Sequence, residues 1–232
     1  NPSQREAVLW SDAPSLVIAG AGSGKTRVLT YKIAYLLEQG MQPWNILALT
    51  FTNKAAREMR ERIATLVSLE KASSLWMGTF HSIFARILRA EADKLGLDKD
   101  FTIYDGTDSQ NLLATIIKEK RLDDKTYNPK KMHAKISRLK NDLITPQMYR
   151  EIPELHQKDV EDHLYAFGDL YATYAARCKS ANAVDFDDIL LFTNILLRDD
   201  AQVAFKYQNK FRFVLVDEYQ DTNASQYRII RN

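Results

Sequence analysis

The stretch Ala19-Gly20-Ala21-Gly22-Ser23-Gly24-Lys25-Thr26 limits what this chain can become more than any other. Three of the eight glycines of the whole chain, Gly20, Gly22 and Gly24, fall within five consecutive residues of this stretch. The apolar run Leu16-Val17-Ile18 comes directly before, and a helix-like segment from Arg27 to Glu38 directly after. A strand, a glycine loop and a helix start in that order suit a phosphate chain. Glycines let successive N–H groups turn inward, and the helix N-terminus adds its positive end. In this pattern Ala21, Gly22, Ser23 and Gly24 cradle the phosphates, Lys25 reaches the β- and γ-phosphates, and the Thr26 hydroxyl ligates Mg²⁺. Ala19 stands where the general form has glycine, so the first turn must tolerate a Cβ.

At 232 residues the chain suggests one or two domains and buries about 70–75% of the surface its unfolded form exposes. With 45% hydrophobic and 27% charged residues, neither disorder nor a fibrous fold is indicated. The apolar stretch Ile189 to Leu197 is interrupted by Thr193 and Asn194 and is too short to span a bilayer, so no membrane association is expected. Asn1 to Glu6 lacks the basic and apolar regions of a secretory signal, which makes a cytoplasmic location the default expectation. The single Cys178 cannot form an internal disulfide and reads as a helix packing residue. His81, His156 and His163 have no partners at metal-ligand spacing, so no structural zinc is expected.

Net charge is only +2, but nine Lys or Arg (118, 120, 121, 125, 130, 131, 135, 138 and 140) stand against Glu119, Asp123 and Asp124 between Lys118 and Lys140. A solvated face and a nucleic-acid-facing surface both fit such a block.

Along the chain, the pattern predicts a helix from Ser3 to Trp10, strands at Leu16–Ile18, Ile46–Thr50 and Leu75–Met77, and helices over about 54–67 and 80–95. Strands alternating with helices imply a parallel sheet with right-handed crossovers. Between Arg86 and Val184 the rhythm turns helical, with helices expected over about 107–120, 130–142 and 158–180. In this region no run of strand formers exceeds Phe101 to Tyr104. Phe167, Tyr171, Tyr174 and Cys178 recur at helical spacing and read as core. The α/β rhythm returns with helices over about 186–197 and 200–209 and a strand at Phe213–Val216, which ends in Asp217-Glu218. An Asp-Glu pair at the carboxyl edge of a parallel sheet is where the second half of a phosphate site should lie.

Together, Ala19 to Thr26, Thr50-Phe-Thr-Asn-Lys-Ala-Ala56, Gly78-Thr-Phe-His-Ser82, Asp185-Phe-Asp-Asp188 and Val216-Asp-Glu-Tyr-Gln-Asp-Thr-Asn223 resemble the amino-terminal part of the UvrD/PcrA/Rep-type superfamily 1 DNA helicases. The resemblance implies an α/β, RecA-like P-loop parallel sheet with helices on both faces, interrupted by an all-helical insertion subdomain. On that division residues 1–85 and 185–232 form the motor domain and 86–184 the insertion. It also implies an ATP hydrolase that moves 3′ to 5′ on single-stranded DNA or at single/double-strand junctions, with ATP and Mg²⁺ as cofactors and repair or replication proteins as partners.

By the same resemblance Gln4 reads the adenine edge and Arg27 stacks on its face. Asp217 holds Mg²⁺ with Thr26, while Glu218 orients and deprotonates the attacking water, with Lys25 the third catalytic residue. Phe51, Thr52, Asn53 and Lys54 contact single-stranded DNA, as do Thr79, Phe80 and His81. Periodicity alone reads Phe51 as core because it follows a buried strand, and His81 alone as a satisfied buried histidine. Asp185, Asp187 and Asp188 read first as helix-capping carboxylates. The third motif and the arginine fingers of the family are not among these residues, so the chain by itself is expected to hydrolyse ATP very slowly. Two alternatives stay open: a RecB/AddA-type helicase–nuclease, and a DNA-binding module with little ATPase activity. The intact Lys25, Thr26, Asp217 and Glu218 argue against the second.

Overall fold

The computed structural model describes all 232 residues, and they divide into two compact units. One comprises residues 1–83 and 202–222, the other residues 84–201 and 223–232. In chain order the first elements are α1 (Pro2–Leu9), α2 (Lys25–Glu38), β1 (Ile46–Thr50), α3 (Asn53–Leu66), α4 (Leu69–Ser74), β2 (Trp76–Thr79) and α5 (Phe80–Ala90). Then come β3 (Thr102–Tyr104), α6 (Gly106–Glu119), α7 (Pro129–Asn141), α8 (Pro146–Glu151), α9 (Pro153–Glu161), α10 (Phe167–Ser180), β4 (Ala183–Asp185) and α11 (Phe186–Asp199). Last are α12 (Ala201–Lys210), β5 (Phe213–Val216) and α13 (Ala224–Arg231). No helix is long and apolar enough to cross a membrane.

In the first unit all five residues of β1 are buried, as a middle strand of a parallel sheet requires. The strand order is β2-β1-β5, all parallel, with Thr50 opposite Thr79 and Leu49 opposite Val216. Residues that follow these strands therefore leave at one carboxyl edge. Ile33, Leu36 and Leu37 of α2 and Met59 and Ile63 of α3 pack with Ile46, Ala48 and Met77. Gly78 of β2 has no room for a side chain, since a Cβ there would lie 2.6 Å from Ser82 Oγ and 3.3 Å from Ile83 Cγ1. Its absence lets β2 run directly into α5.

The expected strand at Leu16–Ile18 does not form. These residues pair with no strand, and Leu16, Val17 and Ile18 are 64%, 44% and 88% exposed. An apolar run expresses a preference for strand, but a strand exists only where a neighbour completes its ladder, and β5 pairs only with β1. The expected helix over 158–180 is two helices, α9 and α10. His163 takes a left-handed φ of 56° and the Leu164 N–H closes on the Asp159 carbonyl at 2.7 Å, so the first helix stops without a glycine or proline to signal it. The short α4, capped by the Ser68 side chain on the Lys71 N–H at 3.2 Å, was not anticipated.

In the second unit, Leu113, Ile116 and Ile117 of α6, Met132, Ile136 and Leu139 of α7 and the stripe Phe167, Tyr171, Tyr174 and Cys178 form one core. The unit is not all-helical. Thr102–Tyr104 pairs in parallel with Ala183–Asp185, a pair of three-residue strands too short for alternation to reveal. The unit also extends past residue 184. Lys140 of α7 is buried and its Nζ meets Asp185 Oδ2 at 2.6 Å and Asp188 Oδ1 at 2.7 Å, which keeps α11 with α7. The Tyr174 hydroxyl donates to the same Asp185 oxygen at 2.8 Å, and Asp185 and Asp188 form the capping box of α11.

Two carboxylates thus share one ammonium out of water. Burial pushes the Asp188 carboxyl up to about 6, reinforced by the Asp185 charge and opposed by Lys140. Asp185 is held below the ordinary range by Lys140 and the Tyr174 hydroxyl, against its own burial. A carboxyl whose folded value is raised adds stability that is full below its unfolded value and is lost as pH rises through its folded value. Asp185 acts oppositely, but only as pH falls below the unfolded value. Between pH 5 and 7 the denaturation midpoint should therefore fall with rising pH, and Asp188→Asn should flatten that slope.

Candidate nucleotide and DNA sites

The phosphate-loop residues form an exposed turn with Gly22 at φ 74° and Gly24 at φ 88°, left-handed conformations that suit glycine. Gly24 is the N-cap of α2 and supplies no side-chain acceptor, so the first N–H groups of that helix keep their donors facing the loop. Lys25 Nζ donates to the carbonyls of Ala19 at 3.0 Å and Gly20 at 3.2 Å, folding its ammonium back over the loop. Thr26 is half-buried in the next position and Arg27 is exposed, with its guanidinium 5.4 Å from the Tyr31 ring centroid.

Gln4 of α1 reaches the same loop. Its Nε2 donates to the Ser23 carbonyl at 2.8 Å, and a Cβ on Gly24 would lie 2.8 Å from that nitrogen. The glycine is thus needed for its φ, and it also leaves room for the amide to approach.

Asp217 and Glu218 follow β5. The Asp217 backbone N–H donates to the Leu49 carbonyl at 2.9 Å, which ties the pair to the carboxyl end of β1. Asp217 is buried, and its carboxyl is raised above the ordinary range by that burial first and by the Glu218 charge second. Lys25 pulls it the other way, so the ammonium of the loop and the carboxylate of β5 share one field. Glu218 is exposed, held at a left-handed φ of 50°, and its carboxylate accepts from Gln220 Nε2. A non-glycine residue in that region costs on the order of 1 kcal/mol or more, and such strain concentrates at functional sites. No hydrogen bond joins Thr26 to Asp217. An uncapped helix start, a lysine and a buried carboxylate fit an anionic phosphate chain with a hard divalent cation.

The second candidate surface lies along the same edge. Phe51 is half-buried with its ring 5.5 Å from that of Phe80, while Thr52, Asn53 and Lys54 are exposed. The Thr52 hydroxyl caps α3 on the Ala55 N–H at 3.1 Å, and Lys54 pairs with Glu58 at 3.9 Å. Thr79 and His81 are half-buried, and the Thr79 hydroxyl accepts from the Ser82 N–H at 3.2 Å. Phe80 differs from expectation. It is 1% exposed and supports Phe51 from below, so its ring cannot stack on a base.

Of the nine basic residues between 118 and 140, three turn to ion pairs: Lys120 with Asp169, Lys135 with Asp159, and Lys140 as described. The other six are exposed and form no ion pair. Sequence reasoning missed Lys32, a lysine of α2 that is buried, and the partnership of Gln220 with Glu218. A helical lysine reads as solvent-facing, and nothing in the residue pattern marks Lys32 otherwise.

A glycine loop at a helix start, with an Asp-Glu pair at the carboxyl edge of a parallel sheet, is the architecture shared by P-loop nucleotide-binding proteins. The chain belongs to the family described as UvrD/REP helicase N-terminal domain, whose model matches residues 1–232. It is 44% identical over 232 residues to the ATP-dependent DNA helicase PcrA of Staphylococcus aureus (strain COL) and 45% identical over 233 residues to that of Staphylococcus epidermidis. Each match covers 100% of this chain and 31% of the relative, so the chain spans about a third of the length of the curated relatives it matches.

Proposed function

We propose that this chain is the ATP-binding part of a DNA helicase motor that moves 3′ to 5′ on single-stranded DNA. The observation that carries the reading is the single sheet edge at which β1, β2 and β5 deliver Phe51 to Lys54, Thr79 and Asp217-Glu218, with Lys25 in the field of Asp217. The RecA-like arrangement with helices on both faces, and the motor and insertion roles of the two units, belong to the same reading. So do a cytoplasmic location, single/double-strand junctions as substrate, and repair or replication partners.

When bound, Mg²⁺–ATP supplies the phosphoanhydride and the charge neutralisation of its γ-phosphate. Lys25 leaves the Ala19 and Gly20 carbonyls for the β- and γ-phosphate oxygens, and the uncapped N–H groups of α2 hold the phosphate chain. Thr26 and Asp217 would hold the cation. Glu218, exposed and oriented by Gln220, takes the proton of the attacking water. Gln4 pairs with the adenine edge, and Arg27, lying beside Tyr31, covers its face. The isolated chain is expected to bind ATP but turn it over slowly.

Phe51 tests the DNA half. Phe51→Ala should weaken single-strand binding by about 1–3 kcal/mol while leaving ATP affinity unchanged. Fluorescence anisotropy with a labelled oligonucleotide measures this, and a loss of thermal stability with no change in DNA affinity would return Phe51 to the core it shares with Phe80.

A further inference from the structure

α1 carries Gln4, yet none of its residues is buried, and an eight-residue helix is marginal without tertiary support. Only Gln4, Ala7 and Val8 are even half-buried, so apolar packing holds it lightly. Lys32 adds a polar clamp. This side chain of α2 is 5% exposed and donates from Nζ to the Val8 carbonyl at 2.8 Å, to the Trp10 carbonyl and to Ser11 Oγ at 3.0 Å. Val8 lies in the last turn of α1 and Trp10 is its C-cap, so the ammonium meets the negative end of the helix. The Tyr35 and Phe213 rings lie 5.9 and 5.4 Å from Nζ, and Asp12 adds the one opposing charge. Burial lowers the lysine from its ordinary range, a cost that a solvent-facing lysine would not bear.

The other end of α1 is fastened by Gln4 to the Ser23 carbonyl. Lys25 and Lys32 sit on one rigid helix, about 10 Å apart along its axis at 1.5 Å per residue. α1 is thus bracketed between the phosphate loop and the second turn beyond it.

We propose that Lys32 is a positioning residue for base recognition: by clamping the C-terminal carbonyls of α1 it holds the Gln4 amide at the loop, where it selects adenine. This rests on the reading of Gln4 given above. It assigns to a buried cation, remote from the phosphates, a share of nucleotide specificity.

The test compares Mg²⁺–ATP with Mg²⁺–tripolyphosphate, which shares the phosphates but has no base, by titration calorimetry on the full chain. Lys32→Met, close in volume, should weaken ATP about tenfold, the size of one or two net hydrogen bonds, and leave tripolyphosphate within about twofold. Lys32→Arg, which keeps a buried donor, should recover part of the loss, and Lys32→Met/Gln4→Ala should bind no worse than Gln4→Ala alone. If Lys32→Met lowers the melting temperature of the chain, Ser11→Ala carries the same prediction at about two- to threefold. Equal losses for both ligands, or an unchanged ATP affinity in Lys32→Met beside a reduced one in Gln4→Ala, would overturn the role of Lys32. Unchanged ATP affinity in Gln4→Ala would instead overturn the adenine reading, and this inference with it.

Discussion

On the proposed function, Lys25→Ala should reduce ATP hydrolysis stimulated by single-stranded DNA by at least about a hundredfold, the usual cost of removing one preorganised group that stabilises transition-state charge. The side chain already lies over the loop, bonded to the Ala19 and Gly20 carbonyls at 3.0 and 3.2 Å, so little reorganisation separates it from a phosphate oxygen. Exchanging two neutral carbonyl acceptors for charged ones strengthens each bond, to about 1.5–3 kcal/mol apiece, and alanine loses that gain. Phosphate release in the protein that carries this chain measures the effect, with circular dichroism to show that the fold is kept. Turnover within tenfold of the parent would remove Lys25 from the catalytic set.

Lys140→Ala should destabilise the second unit by about 3–5 kcal/mol, the cost of leaving buried charge uncompensated. The ammonium is 2% exposed and lies 2.6 and 2.7 Å from two carboxylates that are themselves buried. Its removal also loosens α7 from α11, which those contacts join. Charge, more than lost packing, sets the size of the effect. Lys140→Met/Asp185→Asn/Asp188→Asn, which keeps the volume and removes every charge, should therefore recover much of the loss. The Lys140→Ala deficit should also shrink as pH falls, because both carboxylates can then be buried neutral. Urea denaturation followed by far-ultraviolet circular dichroism reads both; a triple variant no more stable than Lys140→Ala would show that packing dominates.

Helix caps and the strands β1 and β5 were legible because their causes are local. Asp185 caps α11, Thr52 caps α3, and β1 and β5 fall where unbroken apolar runs meet turn residues. The glycine loop before α2 was legible for the same reason, since glycine at φ 74° and 88° is a property of single residues. Failures share one cause, that the deciding partner is distant along the chain. Leu16–Ile18 carries a strand composition but no ladder partner, Thr102–Tyr104 finds its partner about eighty residues away, and Phe80 is sealed beneath Phe51. Lys140, counted by composition within a basic block, faces inward because Asp185 and Asp188 wait there.

The sequence by itself determined which chemical groups are present and in what order: a glycine loop with its lysine, a strand-terminal Asp-Glu pair and the segments that align the chain with its helicase family. Only the tertiary structure decided which groups share an electric field and which are withdrawn from solvent. Burial and charge act through space, so Lys25 meets Asp217, Lys32 reaches α1 and Lys140 neutralises α11 for reasons that no local pattern encodes.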